Sequence, residues 1–124
     1  MKDCIFCNPE KERVIVDSTL ALAVYDGYPV TKGHTLVIPK AHKPTFFDLT
    51  YLEQQEVFML LDVMRERLEA KDSSITGFNI GMNCGESAGQ TIMHCHVHLI
   101  PRRDGDHPNP RGGVRAVIPG KADY

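Results

Sequence analysis

Apolar and polar residues follow two kinds of spacing along the chain. Short runs rich in Val, Ile, Leu and Ala predict strands at 13–17, 20–26, 34–39 and 76–82. A fifth run, 93–100, places histidine at every second position between apolar residues, which is also the spacing of a strand. Glycine and proline interrupt these runs at 27–33, and glycines do so again at 83–90, so we expect loops there.

One long helix is predicted between the third and fourth strands. Thr50 and Glu53 have the spacing of a capping box, in which each side chain accepts a hydrogen bond from the other residue's backbone N–H. Apolar residues then recur at helical intervals, at Val57, Leu60, Leu61, Met64 and Leu68. We therefore expect an amphipathic helix over about 50–70. Five strands and one segregated helix predict an α+β fold with a mostly antiparallel sheet.

Length and composition favour one domain, residues 1–124. The chain has 124 residues, of which 42% are hydrophobic and 24% charged, as in ordinary globular proteins. We expect a core over 1–100 and an extended tail rich in proline and glycine over 101–124. The net charge of −2 gives no reason to expect a nucleic-acid partner. No run is apolar and long enough to cross a bilayer, and no leader is recognisable, so we expect no membrane partner and a cytoplasmic location.

The alternating histidines His94, His96 and His98 are the strongest indication of chemistry. Side chains alternate between the faces of a strand, so these imidazoles should share one face at intervals of about 7 Å, with Cys95 turned to the core. One interpretation is attack by a neutral imidazole on phosphorus, through a covalent intermediate. A catalytic metal bound by the three histidines is a second interpretation, and polar residues on an exposed sheet face are a third.

The loop before these histidines carries groups suited to phosphate. Two glycines lie within 83–91, and backbone N–H groups in such turns bind anions. Asn83, Gln90 and Thr91 have side chains that donate hydrogen bonds. A glycine-bearing turn is most often only a turn, but its position directly before the histidines favours a phosphorylated substrate.

These motifs resemble the histidine triad superfamily of nucleotide hydrolases and transferases. Residues 94–100 resemble the family signature, and residues 4–7 resemble the N-terminal start of many members. Residues 33–42 resemble a second family block, and Asn83 with 89–91 resembles the phosphate loop. The resemblance covers most of the chain. It implies a HIT-like fold, in which a short N-terminal helix accompanies the long one.

The resemblance also implies roles for individual residues. His96 would attack the α-phosphorus and become nucleotidylated, and His98 would hydrogen-bond the phosphate or the bridging atom. His34 would assist proton movement, and Asp26 would bind ribose hydroxyls. The alternatives are a His34 satisfied by backbone groups and an Asp26 that only forms a turn. The phosphate oxygens would be held by Asn83, Gly89, Gln90 and Thr91.

Cys4 and Cys7 form a Cys-x-x-Cys pair, which favours a metal site over a disulfide in a protein expected in the cytoplasm. A tetrahedral zinc site needs two further ligands. The residues themselves offer five candidates, namely His42, His94, His107, Cys84 and Cys95. The resemblance implies His42 and His94, and hence a structural Zn²⁺ site. Reduced thiols without metal are the alternative.

The leading hypothesis is an enzyme that hydrolyses purine nucleotide conjugates at the α-phosphate through nucleotidyl-His96. The candidate substrates are dinucleoside polyphosphates and nucleoside phosphoramidates, and the run 101–106 resembles the branch that cleaves dinucleoside polyphosphates. Arg111 and Arg115 in the tail could reach the phosphates of a longer substrate, or could be solvated. The chemistry requires no metal, although Mg²⁺ could accompany a polyphosphate.

Other functions remain open at this point. A nucleotidyltransferase would use the same covalent intermediate with an acceptor other than water. A nucleotide-binding protein with little turnover is an alternative of another class, and a zinc hydrolase is a further one. The resemblance implies a homodimer, for which Phe58 and Met59 on the long helix offer apolar surface.

Overall fold

Five antiparallel strands and one long helix form the fold. The computed structural model describes residues 3–124. The strands are β1 (Val14–Asp17), β2 (Ala21–Tyr25), β3 (Thr35–Pro39), β4 (Ile75–Gly81) and β5 (Val97–Arg103). They form one sheet in the order β1-β2-β3-β5-β4, and all neighbours are antiparallel. The helix α1 spans Tyr51–Lys71, and a short 3-10 turn, Lys11–Arg13, precedes β1. The α+β fold class predicted from the sequence is confirmed.

The helix α1 covers one face of the sheet. Its predicted capping box is present, because the Glu53 N–H donates to Thr50 Oγ1 at 3.2 Å and the Thr50 N–H donates to Glu53 Oε1 at 2.7 Å. The predicted apolar stripe is buried against Val37, Val97 and Leu99 of the sheet. A second apolar cluster lies apart from it and includes Phe6, Leu22, Val24, Leu36 and Ile38. Within residues 3–124 no helix is long and apolar enough to cross a lipid bilayer.

The start of β5 differs from the prediction. The strand begins after His96, so His94 and His96 precede it and only His98 belongs to it. The cause is a partner distant in the sequence, because the Cys95 N–H donates to the carbonyl of Lys43, about fifty residues earlier, at 2.8 Å. The backbone before Val97 is therefore hydrogen-bonded to the segment that comes after β3 in the sequence. Cys95 is buried, as expected.

The far end of β5 also differs, since the strand continues to Arg103, three residues beyond the expected end of the core at 100. Pro101 is fully buried, and pairing with β4 continues as far as Arg103. The Arg103 guanidinium donates to Asp72 at 2.9 Å and to Thr31 at 3.0 Å. These contacts join the end of β5 to the end of α1 and to the loop between β2 and β3.

Candidate active site

Four potential metal ligands meet at one end of the sheet. Cys4 and Cys7 lie in an N-terminal turn, His42 follows β3, and His94 precedes β5. The His94 Nδ1 atom lies 3.4 Å from Cys4 Sγ, 3.5 Å from Cys7 Sγ and 3.2 Å from His42 Nδ1. The distance from Cys7 Sγ to His42 Nδ1 is 3.2 Å. The four ligand atoms all lie within 4.8 Å of one another.

This geometry fits a tetrahedral zinc ion. With ordinary Zn–S and Zn–N bond lengths, a tetrahedron separates sulfur from nitrogen by about 3.5 Å and two nitrogens by about 3.3 Å. The His94 Nε2–H donates to the Pro39 carbonyl at 2.7 Å, which leaves Nδ1 unprotonated toward the cluster. Such a second hydrogen bond commonly orients zinc-bound histidines. Burial lowers the pKa of His94 and favours the neutral ring that a metal requires.

The other sequence candidates do not join this cluster. Cys84, Cys95 and His107 are absent from the grouped ligands within the described part of the chain. Cys95 lies in the core beneath α1, where burial raises the pKa of its thiol to about 12. It therefore remains a protonated, apolar core residue.

His96 presents one unprotonated ring nitrogen. Its Nδ1 lies 2.8 Å from the carbonyl oxygen of His94, and this acceptor fixes the proton on Nδ1. The lone pair of a neutral ring is then on Nε2, the atom that can act as a nucleophile. The Phe6 ring packs on the imidazole, with ring centroids 4.8 Å apart. The sequence interpretation missed this contact, although Phe6 lies between the two cysteines of the proposed metal site.

His34 and His98 form a second pair whose tautomers the backbone determines. The Val30 N–H donates to His34 Nδ1 at 3.1 Å, so the proton of a neutral His34 is on Nε2. That nitrogen donates to His98 Nδ1 at 2.9 Å, which leaves the His98 proton on Nε2. Asp26 Oδ2 lies 3.4 Å from His34 Nε2. Burial lowers the pKa of both histidines, and only the Asp26 charge opposes this effect.

The group formed by Asp26, His34 and His98 does not suit a metal ion. A metal on His34 Nε2 would need a proton on Nδ1 of a neutral ring, and that position accepts the Val30 N–H. The interpretation of a metal bound by three histidines is wrong, because His94 belongs to the cysteine cluster and no described ligand group contains all three. The group instead directs one hydrogen-bond donor, the His34 Nε2–H, toward His98 Nδ1.

His96 and His98 line a cleft of about 180 Å³, which we call the histidine cleft. Apolar side chains form much of its wall, and Asp26 lies at its edge; the other lining residues are Ile5, Phe6, Pro9, Arg13, Val24, Tyr25, Gly27, Tyr28, Leu36 and Ile92. Among the described side chains, only the Arg13 Nε is buried without a hydrogen-bond partner, and it lies 3.9 Å from Glu10 Oε2. A larger cleft of about 460 Å³ lies against the end of α1 and contains neither His96 nor His98. His96 and His98 thus line the smaller cleft, His34 lines the larger one, and Asp26 lines both.

The predicted phosphate loop is only partly free for a ligand. The Gln90 amide is buried and donates to the carbonyls of Pro44 at 2.6 Å and Ile92 at 3.0 Å. Its oxygen accepts from the Gly85 N–H at 2.8 Å. The Gln90 side chain thus shapes the loop with both amide protons engaged, and its role as a phosphate donor stays a prediction. The remaining predicted phosphate ligands, Asn83, Gly89 and Thr91, are exposed.

Solved structures provide comparisons for this arrangement. A HIT family protein from Bacillus anthracis is 39% identical, with a TM-score of 0.76 over 83% of this chain and 75% of that one. A Zn-bound histidine triad family protein from Mycobacterium smegmatis is 31% identical, with a TM-score of 0.69 over 87% of this chain and 81% of that one.

Sequence comparison agrees with the structural likeness. The bis(5′-nucleosyl)-tetraphosphatase (asymmetrical) of Schizosaccharomyces pombe is 37% identical over 98 residues, which are 79% of this chain and 53% of that protein. The chain thus spans about half the length of that relative. The HIT domain model matches residues 8–105. The triad histidines and the paired strands agree with this match, and the chain belongs to the HIT domain family.

Proposed function

We propose that the protein is a hydrolase of purine nucleotide conjugates and that it cleaves the bond between the α-phosphate and its leaving group. The observation that carries this proposal is the pair of opposite tautomers, with a lone pair on His96 Nε2 and a proton on His98 Nε2. His96 Nε2 can therefore attack phosphorus, and His98 Nε2–H can donate a hydrogen bond. The similarity to a tetraphosphatase supports the same reaction class.

The first chemical step follows from these tautomers. His96 Nε2 attacks the α-phosphorus, a P–N bond forms, and the bond from phosphorus to the leaving group breaks. The leaving group departs with the electron pair, and the His98 Nε2–H hydrogen-bonds to it or to a phosphate oxygen. The Val30 N–H and His34 hold His98 in the donating tautomer. They act as positioning groups, since neither needs to touch the phosphate.

The second step returns the enzyme to its starting state. Water attacks phosphorus in nucleotidyl-His96, the P–N bond breaks, and a nucleoside monophosphate is released. A nucleotidyltransferase would differ only in the acceptor that replaces water. The base would lie against the apolar wall that includes Phe6 and Ile92, while Asp26 accepts hydrogen bonds from the ribose. Asn83, Gly89 and Thr91 would contact phosphate oxygens.

Zinc would have a structural role here. Cys4, Cys7, His42 and His94 would hold the ion, and the bound metal would join the N-terminal turn to the entrance of β5. The similarity to a Zn-bound family member supports this assignment. Nothing in the site supports Mg²⁺, and its presence with a polyphosphate substrate stays a prediction.

We also propose a homodimer. The strand β4 is at the edge of the sheet, and Ile80 on it is 51% exposed. Phe58 and Ile80 line one shallow cleft with Leu61 and Phe78, so helix and edge strand share an apolar surface, beside which lie the charged Asp62 and Arg65. Exposed strand edges and apolar patches of this kind are typical of subunit interfaces.

The proposed function is tested by His96→Asn. Wild-type protein should release AMP from diadenosine tetraphosphate or adenosine phosphoramidate, and the variant should be slower by about a thousandfold or more. The measurement is AMP release by chromatography, with denaturing mass spectrometry of the wild type during turnover to detect an AMP adduct on His96. Nucleotide binding and melting temperature of the variant serve as controls for folding. Equal turnover by both proteins would exclude His96 as the nucleophile.

A further inference from the structure

The C-terminal segment 109–124 closes on itself as a compact loop, which we call the C-terminal loop. The Arg115 Nε donates to the Lys121 carbonyl at 2.9 Å, and the Asn109 amide donates to Asp123 at 3.3 Å. Gly112 has a φ of 89°, and a side chain there would collide with the backbone of Ala122. The glycine is therefore required for the closure of this loop.

The C-terminal loop lies on the same face of the sheet as the catalytic histidines. Along β5 the buried residues alternate with His98, Ile100 and Arg102, whose side chains share the opposite face. Ile100 and its β4 partner Asn79 form the floor of a cleft of about 370 Å³, which we call the loop cleft. Ile100 is two residues beyond His98, a distance of about 7 Å along the strand. The floor of the loop cleft therefore starts at the next position on the His98 face of β5.

The lining of the loop cleft is largely apolar and includes one arginine without an ion pair in the described part of the chain. Val114, Ala116 and Val30 make much of the lining apolar, and among the described residues that line it none is acidic. Arg102 is paired with Asp106 at 2.7 Å, which neutralises its charge. The Arg111 guanidinium lies 4.6 Å from the centre of the Tyr124 ring and has no ion pair among residues 3–124. One uncompensated cation beside an apolar surface suits an anion that carries a flat or apolar group.

We infer that the loop cleft receives the leaving group of the substrate and favours one that carries phosphate charge, such as a nucleoside polyphosphate. This inference rests on the proposed function. The nucleoside attached to the α-phosphate occupies the histidine cleft, and the departing part of the substrate extends past His98 onto Ile100 and toward Arg111. Charge complementarity then distinguishes an anionic leaving group from a neutral amine.

The chain offers a matched pair of variants for the test. Arg111 and Lys121 both carry a positive charge in the C-terminal loop, but only Arg111 lines the loop cleft, and Lys121 takes part in closing the loop only through its backbone carbonyl. The experiment measures kcat/KM for diadenosine tetraphosphate and for adenosine phosphoramidate. We expect Arg111→Gln to lower the value for the tetraphosphate about tenfold and to change that for the phosphoramidate less than about twofold. Lys121→Gln should leave both values unchanged.

A second variant and a competitor make the test independent of one side chain. Gly112→Ala should open the C-terminal loop and give the same selective loss as Arg111→Gln. Inorganic tripolyphosphate should inhibit wild-type turnover of the tetraphosphate competitively and inhibit Arg111→Gln less. If the wild type turns over both substrates, but Arg111→Gln loses activity equally on both or has the same effect as Lys121→Gln, this inference alone is overturned. A wild type that turns over neither substrate would overturn the proposed function, and this inference with it.

Discussion

At the scale of single residues, backbone groups decide what each histidine can do. The carbonyl of His94 fixes the tautomer of His96, and the Val30 N–H fixes that of His34 and thereby of His98. Sequence spacing identified these histidines as candidates. It could not reveal their tautomers, because those depend on which backbone group lies 3 Å from each ring nitrogen after folding.

The buried histidines predict a stability that depends on pH. Burial keeps the pKa values of His34 and His98 below the ordinary value near 6.5, so the unfolded chain binds more protons in the window beneath 6.5. The free energy of unfolding should therefore fall as the pH is lowered through this window. His34→Gln should make the decline shallower, by up to about 1.4 kcal/mol per pH unit.

Urea unfolding of both proteins between pH 7.5 and 5.5 measures the difference. The proposed zinc ligands are the same in the two proteins, so their protonation contributes equally to both and does not affect the comparison. Parallel curves for the wild type and the variant would show that His34 takes up no more protons in the unfolded chain than in the folded one.

At the scale of elements, the four-ligand cluster joins three parts of the chain that are far apart in sequence. The N-terminal turn, the end of β3 and the entrance to β5 meet there, and Phe6 extends from the turn onto His96. Loss of the cluster should therefore affect both the stability of the fold and the position of the nucleophile.

Cys4→Ser tests this connection. The variant should lose its zinc, melt about 10 °C lower and show a reduced kcat, since metal binding contributes to folding and Phe6 loses its support. Atomic absorption, thermal melting and AMP release measure the three quantities. Cys84→Ser is the matched control, because Cys84 is a free cysteine outside the cluster. A Cys4→Ser protein with full zinc content and an unchanged melting temperature would contradict the assignment.

Elements defined by local spacing were predictable, and those defined by distant partners were less so. The helix began where Thr50 and Glu53 indicated, because a capping box involves only neighbouring residues. The predicted start of β5 was wrong. The observed start depends on a hydrogen bond from the Cys95 N–H to the carbonyl of Lys43, which is about fifty residues away in the sequence. The contacts of Gln90 could not be predicted for the same reason, since its amide donates to the carbonyl of the distant Pro44.

At the scale of the whole molecule, the exposed apolar side chains of α1 and β4 predict self-association. Phe58 is 54% exposed and Ile80 51% exposed, and both line the same cleft. Ile80→Lys should shift the protein from dimer to monomer at micromolar concentration, because a charge would be buried at the interface. Sedimentation velocity measures the change. Val117→Lys, at an exposed apolar position in the C-terminal loop, is the control, and a wild type that sediments as a monomer would contradict the proposal.

The position of β5 between β3 and β4 has a consequence for synthesis on the ribosome. Both of its neighbours precede it in the sequence, so a nascent chain that ends before residue 97 holds two strands whose facing edges have no partner. Unpaired strand edges readily associate with other chains. Among residues 3–124, β5 is the last strand to emerge. It closes that gap and carries His98 into place, so the facing edges of β3 and β4 are protected only once residue 103 has left the ribosome.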